Sequence, residues 1–270
     1  MNSSPIGIFD SGIGGLSVFS RLVNLLPDEN YIYFADTKNL PYGSKSQQEL
    51  IQISMNIFEF FKSKNVKAVI MACNTTSAAV YDYVKTKFDF EIYPVVQSVS
   101  KVIASKINKR IGVFATQAVI NLHCYKNEIQ KYNPNIKVFE TACPEWVPIV
   151  ENSLFNEQKS IENIKMRLEI MLKNKPEKII LGCTHYPYLL PVLSKFAPES
   201  IFTDPAVYFA EIIAGSLKTK NLLNSEKASP PVFYASAEPE KFEKSSSLFC
   251  KVSHAELFSD EKKKAGLILE

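Results

Sequence analysis

Short apolar runs and stretches of helical period alternate along this chain. Ile6 to Phe9 reads as a strand, and the segment after it puts Phe19, Leu22, Val23 and Leu26 on one helical face before Pro27 ends it. Tyr31 to Ala35 reads as a second strand. Beyond a turn around Pro41-Tyr42-Gly43, Gln47 to Lys62 carries Leu50, Ile53, Ile57 and Phe61 at helical spacing. Val66 to Ala72 predicts a third strand, with its helix over Thr75 to Lys87. Further strands fit Glu91 to Val96, Ile111 to Ala115, Ile136 to Glu140, Lys178 to Gly182, Ile201 to Thr203 and Val232 to Ala235. This alternation predicts an α/β fold with mainly parallel strands.

Part of the pattern occurs twice. Ile6-Gly7-Ile8-Phe9-Asp10-Ser11 resembles Ile111-Gly112-Val113-Phe114-Ala115-Thr116, and Val69-Ile70-Met71-Ala72-Cys73-Asn74-Thr75 resembles Ile179-Ile180-Leu181-Gly182-Cys183-Thr184 at nearly the same offset. The echo predicts two similar subdomains, each a central mainly parallel sheet flanked by helices. A pseudo-two-fold would relate them, with a cleft between. Residues 1–93 plus 208–270 are assigned to the first subdomain and 94–207 to the second. The Lys/Ser/Glu-rich stretch after Ala237 predicts a solvated helix surface, and Lys262-Lys263-Lys264 a solvated tail.

Composition narrows the function classes. Of 270 residues, 46% are hydrophobic and 22% charged, as in ordinary globular proteins. The 31 basic and 28 acidic residues leave a net charge of +3, which gives no electrostatic case for a nucleic-acid or membrane surface. The N-terminus has no basic segment followed by an apolar one, and no run approaches the roughly 18 apolar residues of a spanning helix. A cytoplasmic location is expected. The five cysteines, Cys73, Cys124, Cys143, Cys183 and Cys250, form no C-x-x-C pair, and in a reducing compartment they are free thiols.

Two of these thiols stand out by position. Cys73 and Cys183 fall at the carboxyl ends of echoed strands, where open parallel sheets gather ligands. A helix N-terminus at that place favours thiolate. A single cysteine after an apolar strand is usually a small buried hydrophobe, and Cys124, Cys143 and Cys250 stay in that class. The matched pair, each followed by Asn or Thr, points elsewhere. Two like groups on opposite faces of one carbon suit inversion of a stereocentre, one acting as base and the other as acid, with roles exchanged in reverse. Asp10 fits a turn or helix cap as well as a chemical role. His185 could ligate a metal, pair with the thiol or be a polar cleft residue. Gly12, Gly14 and Gly15 form G-x-G-G, a tight turn rather than the dinucleotide fingerprint.

The blocks Ile8-Phe9-Asp10-Ser11-Gly12-Ile13-Gly14-Gly15-Leu16, Phe34-Ala35-Asp36-Thr37, Leu40-Pro41-Tyr42-Gly43, Ala72-Cys73-Asn74-Thr75-Thr76-Ser77-Ala78 and Leu181-Gly182-Cys183-Thr184-His185-Tyr186-Pro187 resemble those of bacterial glutamate racemases, in the family's order. The resemblance runs from about residue 6 to 210; Phe233-Tyr234-Ala235-Ser236 is similar more loosely. It implies racemisation of glutamate without a cofactor or metal, supplying D-glutamate for peptidoglycan, by a homodimer. By position, Cys73 and Cys183 match the two catalytic cysteines, the first thiolate taking the proton from D-glutamate and the second from L-glutamate. Asp10 and His185 match residues that assist their thiols, and Glu151 matches a further assisting carboxylate. Asp10, His185, Ser11, Pro41, Tyr42, Gly43, Ser44, Asn74, Thr75, Thr76 and Thr184 match substrate-binding positions, and Thr116 one lining the same cleft.

Other readings fare less well. Where a cysteine phosphatase carries its arginine this chain has Ala79. Cys73, Cys183 and His185 are plausible zinc ligands but lack local ligand spacing. An aspartate racemase would lack the Leu40-Pro41-Tyr42-Gly43 form. A non-catalytic module binding an acidic ligand would have no need of both cysteines and both helpers. No lysine stands in a motif context for a pyridoxal enzyme.

Overall fold

A computed structural model of the chain describes residues 3–107, 109–247 and 250–258; Lys262-Lys263-Lys264 lie outside the described residues. From the N-terminus the elements are β1 (Ile6–Asp10), α1 (Leu16–Leu25), β2 (Tyr31–Ala35), α2 (Gln47–Ser63), β3 (Ala68–Met71), α3 (Asn74–Val84) and β4 (Glu91–Pro94). Next come α4 (Val95–Lys106), β5 (Arg110–Ala115), α5 (Gln117–Asn121), α6 (Cys124–Tyr132), β6 (Lys137–Ala142), α7 (Trp146–Glu151), α8 (Gln158–Leu172) and β7 (Lys178–Gly182). The last elements among the described residues are α9 (Leu190–Leu193), β8 (Phe202–Thr203), α10 (Pro205–Thr219), β9 (Val232–Ala235), α11 (Pro239–Ser246) and β10 (Glu256–Leu257), with short 3₁₀ turns between some of the elements.

The strands form two all-parallel sheets, ordered β10-β9-β2-β1-β3-β4 and β6-β5-β7-β8. The sequence echo has its structural counterpart here. The order β2-β1-β3-β4 in one sheet repeats as β6-β5-β7-β8 in the other, with β1 equivalent to β5 and β3 to β7. Cys73 and Cys183 therefore follow equivalent strands.

Strand alternation sorts side chains into three cores. Ile6, Ile8, Ile70, Ile111, Val113 and Ile180 face a shared core with α1, α4, α6 and α10. Phe9, Phe34, Val69 and Met71 face the opposite side of the first sheet, under α2 and α3. Phe114, Ile179 and Leu181 do the same for the second sheet, under α7 and α8. The echoed glycines belong to this packing. A Cβ on Gly7 would come within 2.6 Å of the Phe61 ring, and one on Gly112 within 2.6 Å of the Met171 sulfur. In each sheet a bare backbone position on the central strand admits a helix side chain.

Most strand and helix ends shift by a few residues from the sequence expectation, and two departures go further. The strand expected to reach Val96 ends at Pro94, and Val95-Val96 open α4, with both side chains in the shared core. β10 is an unexpected strand of two exposed residues at the sheet edge. The charged stretch after Ala237 forms α11, whose Phe242 is buried while Glu240, Lys241 and Lys244 are exposed.

Candidate active site

Four strand ends meet at one hollow. Ser11 follows β1, Cys73 follows β3, Thr116 follows β5 and Cys183 follows β7. All four line a cavity of about 90 Å³ whose walls come from both sheets. Pro41, Tyr42, Gly43, Ser44, Asn74, Thr75, Thr184 and His185 complete most of its lining. Neither thiol is sealed off: Cys73 is 5% exposed and Cys183 6%. The two sheets also touch through hydroxyls, with Thr75 Oγ1 3.0 Å from Thr116 Oγ1 and Thr184 Oγ1 donating to Asp10 Oδ2 at 3.1 Å.

The Pro41–Ser44 wall is held from behind. Buried Asp36 accepts hydrogen bonds from the Tyr42 hydroxyl, the Asn39 amide and the Ser236 hydroxyl. Ser46 then starts α2 with a capping box: its hydroxyl accepts from the Glu49 backbone N–H, and the Glu49 carboxylate accepts from the Ser46 N–H. Such a cap contributes about 1 kcal/mol and fixes where the loop ends.

The two thiols have different surroundings. Cys73 sits at the N-cap of α3, and the Thr75 and Thr76 backbone N–H groups favour its thiolate. That pull is outweighed. Burial, with the Asp10 carboxylate and Cys183 adding to it, pushes the Cys73 thiol up to about 12. The expectation that the helix terminus would favour thiolate at Cys73 is thus corrected: desolvation in a closed hollow is the larger effect. Asp10 is itself fully buried, and burial raises it despite the His185 charge and hydrogen bonds from Gly12, Thr184 and Gly15.

On the other side, Cys183 Sγ lies 3.8 Å from His185 Nδ1, and His185 Nε2 lies 2.6 Å from Glu151 Oε1. Burial alone would depress the imidazole. Its hydrogen bonds to Cys183 and Glu151 prevail and hold it well above the usual histidine value. The protonated form of His185 is thereby favoured by the sulfur on one side and the carboxylate on the other.

Three of the expected residues stand behind the lining. Asp10 reaches the cavity only through Ser11 and Thr184. The Thr76 hydroxyl donates to the Cys73 carbonyl at 3.1 Å. Glu151 faces a neighbouring hollow of about 270 Å³, which it shares with Leu40, Pro41 and residues of α11. Conversely, Gln117, Pro144 and Val147 line the thiol cavity and were not expected. They follow β5 and β6, so the strand-end rule that singled out the cysteines would have reached them. Cys124 and Cys143 are buried away from the cavity; burial pushes Cys124 up to about 12 and Cys143 well above the usual thiol value. Among the described residues, no group of three or more His, Cys, Asp or Glu is arranged to hold a metal ion, and no helix is long and apolar enough to cross a membrane.

Comparison with known proteins gives a consistent picture. The Asp/Glu/hydantoin racemase profile matches residues 6–206. "Glutamate racemase 2" of Caldanaerobacter subterraneus is 39% identical over 251 residues, covering 92% of this chain and 94% of that one. The crystal structure of glutamate racemase from Francisella tularensis in complex with D-glutamate superposes with a TM-score of 0.89 at 31% identity, covering 97% of this chain and 100% of that one. The enzyme from Thermus thermophilus, in complex with β-chloro-D-alanine, gives 0.86 at 30% identity over 96% of this chain and 98% of that one.

Proposed function

The chain belongs to the Asp/Glu/hydantoin racemase family, and from that premise we propose that it is a glutamate racemase working by two-base proton transfer between Cys73 and Cys183. The observation that carries this reading is the convergence of two thiols, from equivalent strand ends of two sheets, on one cavity. A substrate Cα held between them has a sulfur on each face. One thiolate takes the α-proton, the C–H electron pair passes into the adjoining carboxylate as the carbanion forms, and the opposite thiol gives its proton to the other face. Return to the starting state needs only the reverse exchange.

The unequal surroundings set the resting state. The Cys73 thiol, beside the Asp10 carboxyl, keeps its proton. His185, 3.8 Å from Cys183 and with its imidazole raised, supports negative charge on that sulfur when it acts as base. For L-glutamate Cys183 serves as the base and Cys73 as the acid. Protonation of Cys183 and ionisation of Cys73 gives the form that takes D-glutamate. Asp10 and the His185–Glu151 pair assist from outside the reacting atoms.

Ser11, Asn74, Thr75, Thr116, Thr184 and the Pro41–Ser44 loop bind the substrate carboxylates and ammonium through hydroxyl, amide and backbone groups already held in place. Closure of the two subdomains, residues 1–93 plus 208–270 and residues 94–207, excludes water around the carbanion. No cofactor takes part. The family resemblance further supports a cytoplasmic homodimer that supplies D-glutamate to peptidoglycan synthesis.

Racemisation in deuterium oxide tests the reading. Deuterium should enter Cα of the product enantiomer, and Cys73→Ala and Cys183→Ala should each abolish turnover of both enantiomers. Either variant turning over at the wild-type rate refutes the two-base assignment. Aspartate run in parallel, if turned over faster than glutamate, would move the substrate to the shorter acid.

A further inference from the structure

Tyr125 lies on α6, on the side of the second sheet, yet its hydroxyl reaches across to the first. It donates to Oδ1 of Asn74 at 2.6 Å, beside Cys73. Its ring lies against the other thiol's strand: a Cβ on Gly182 would fall 2.9 Å from Tyr125 Cε2. One fully buried side chain thus touches the residue after the first cysteine and the residue before the second.

The hydrogen bond fixes which end of the Asn74 amide faces the ligand. A primary amide has one accepting and one donating end. With Oδ1 occupied by Tyr125, Nδ2 is the end left over. Asn74 lines the thiol cavity, so this end of the amide is the one available to a bound ligand. In the opposite orientation Nδ2 would point at the Tyr125 hydroxyl, whose proton would then lose its acceptor in a buried place.

We propose that Tyr125 is a positioning residue that holds the Asn74 amide with its N–H donors toward a substrate carboxylate, not toward the substrate ammonium. This rests on the glutamate racemase reading of the site. An ammonium needs acceptors, and the accepting end of the Asn74 amide is the one turned toward Tyr125, which leaves the two N–H donors as the other end. The carboxylate contact therefore depends on a hydroxyl that never meets the substrate.

Tyr125→Phe removes that hydroxyl and leaves the ring against Gly182. The test is a double-mutant cycle of Tyr125→Phe and Asn74→Ala, read as KM and kcat for both enantiomers and as melting temperature without substrate. Tyr125→Phe should raise KM roughly tenfold for L- and D-glutamate alike, as expected for one hydrogen bond to a charged group, with kcat nearly unchanged. In the Asn74→Ala background the same substitution should leave KM as it was. The melting temperatures should show the two positions coupled.

A wild-type KM in Tyr125→Phe overturns the proposal while leaving the racemase reading intact. So does an equal rise in both backgrounds, as general loosening would give. Failure of Tyr125→Phe to fold also overturns it, because the hydroxyl would then serve the fold rather than the ligand. A wild-type protein that racemises no glutamate removes the reading itself, and the substrate role of Asn74 with it, even if the melting temperatures remain coupled.

Discussion

Glu151→Gln isolates the charge behind His185. Glutamine keeps an oxygen to accept the Nε2–H bond, now made by Glu151 Oε1 at 2.6 Å, and removes the negative charge. As a generic scale, two unit charges about 4 Å apart interact by about 4 kcal/mol at an effective dielectric constant of about 20. His185 is 1% exposed but the Glu151 side chain is 21% exposed, so water screens part of this. Keeping about half leaves about 2 kcal/mol of attraction favouring the imidazolium, so its loss lowers the imidazole. The alkaline limb of the kcat/KM profile should move to lower pH, measured by circular dichroism of glutamate racemisation across pH. Because enantiomers have equal free energies, kcat/KM must match in the two directions at every pH, which checks the data internally. Stability follows with a definite sign. A raised histidine stabilises the fold fully below its unfolded value of about 6.5, and the contribution fades as pH rises through the folded value. The melting-temperature gap between wild type and Glu151→Gln should therefore be widest near the acid end of that window and close on the alkaline side. An alkaline limb that stays in place, or a gap that widens with pH, would refute the role given to the His185–Glu151 pair.

Three other expectations are independent of that one. Gly14→Ala would bring a Cβ within 2.3 Å of Thr184 Oγ1 and 2.8 Å of His185 Nδ1; overpacking of this kind should lower kcat/KM by roughly tenfold or more, and an unimpaired variant would mean both side chains yield freely. With its thiol pushed up to about 12, Cys73 should be alkylated by iodoacetamide very slowly near neutrality. The rate should rise about tenfold per pH unit in the alkaline range, and peptide mass spectrometry showing a plateau near pH 8 would contradict the burial argument. Dialysis against a strong chelator should leave racemisation intact; loss of activity restored by zinc would favour a thiol metal site.

The short apolar runs predicted nine of the strands because a parallel strand covered on both faces is apolar along its buried length, as Ile6–Phe9 and Ile179–Leu181 are. Val95-Val96 misled because β-branched residues after a strand look like more strand, whereas burial against the shared core decides for helix. β10 has two exposed residues and hence no pattern to find. At the site, position along the strands singled out Cys73 and Cys183. What lies across the cavity could not be read that way. Thr184 meets Asp10, and Tyr125 meets Asn74, between segments far apart in sequence. The buried Lys67–Glu29 ion pair is equally silent in the sequence, since nothing about either residue alone announces a partner. The raised Cys73 thiol depends on how tightly the hollow closes, a property of the packed molecule and not of any motif.

The strand order has a consequence for how the chain is made. β5 to β8 arise from one uninterrupted stretch, so that sheet can assemble as soon as it leaves the ribosome. The other sheet must wait. β2, with Tyr31, Tyr33 and Phe34, keeps one bare edge until β9 is synthesised nearly two hundred residues later. Throughout that interval the nascent protein offers an aromatic strand edge to any neighbouring polypeptide, and protection by a holding chaperone matters most there.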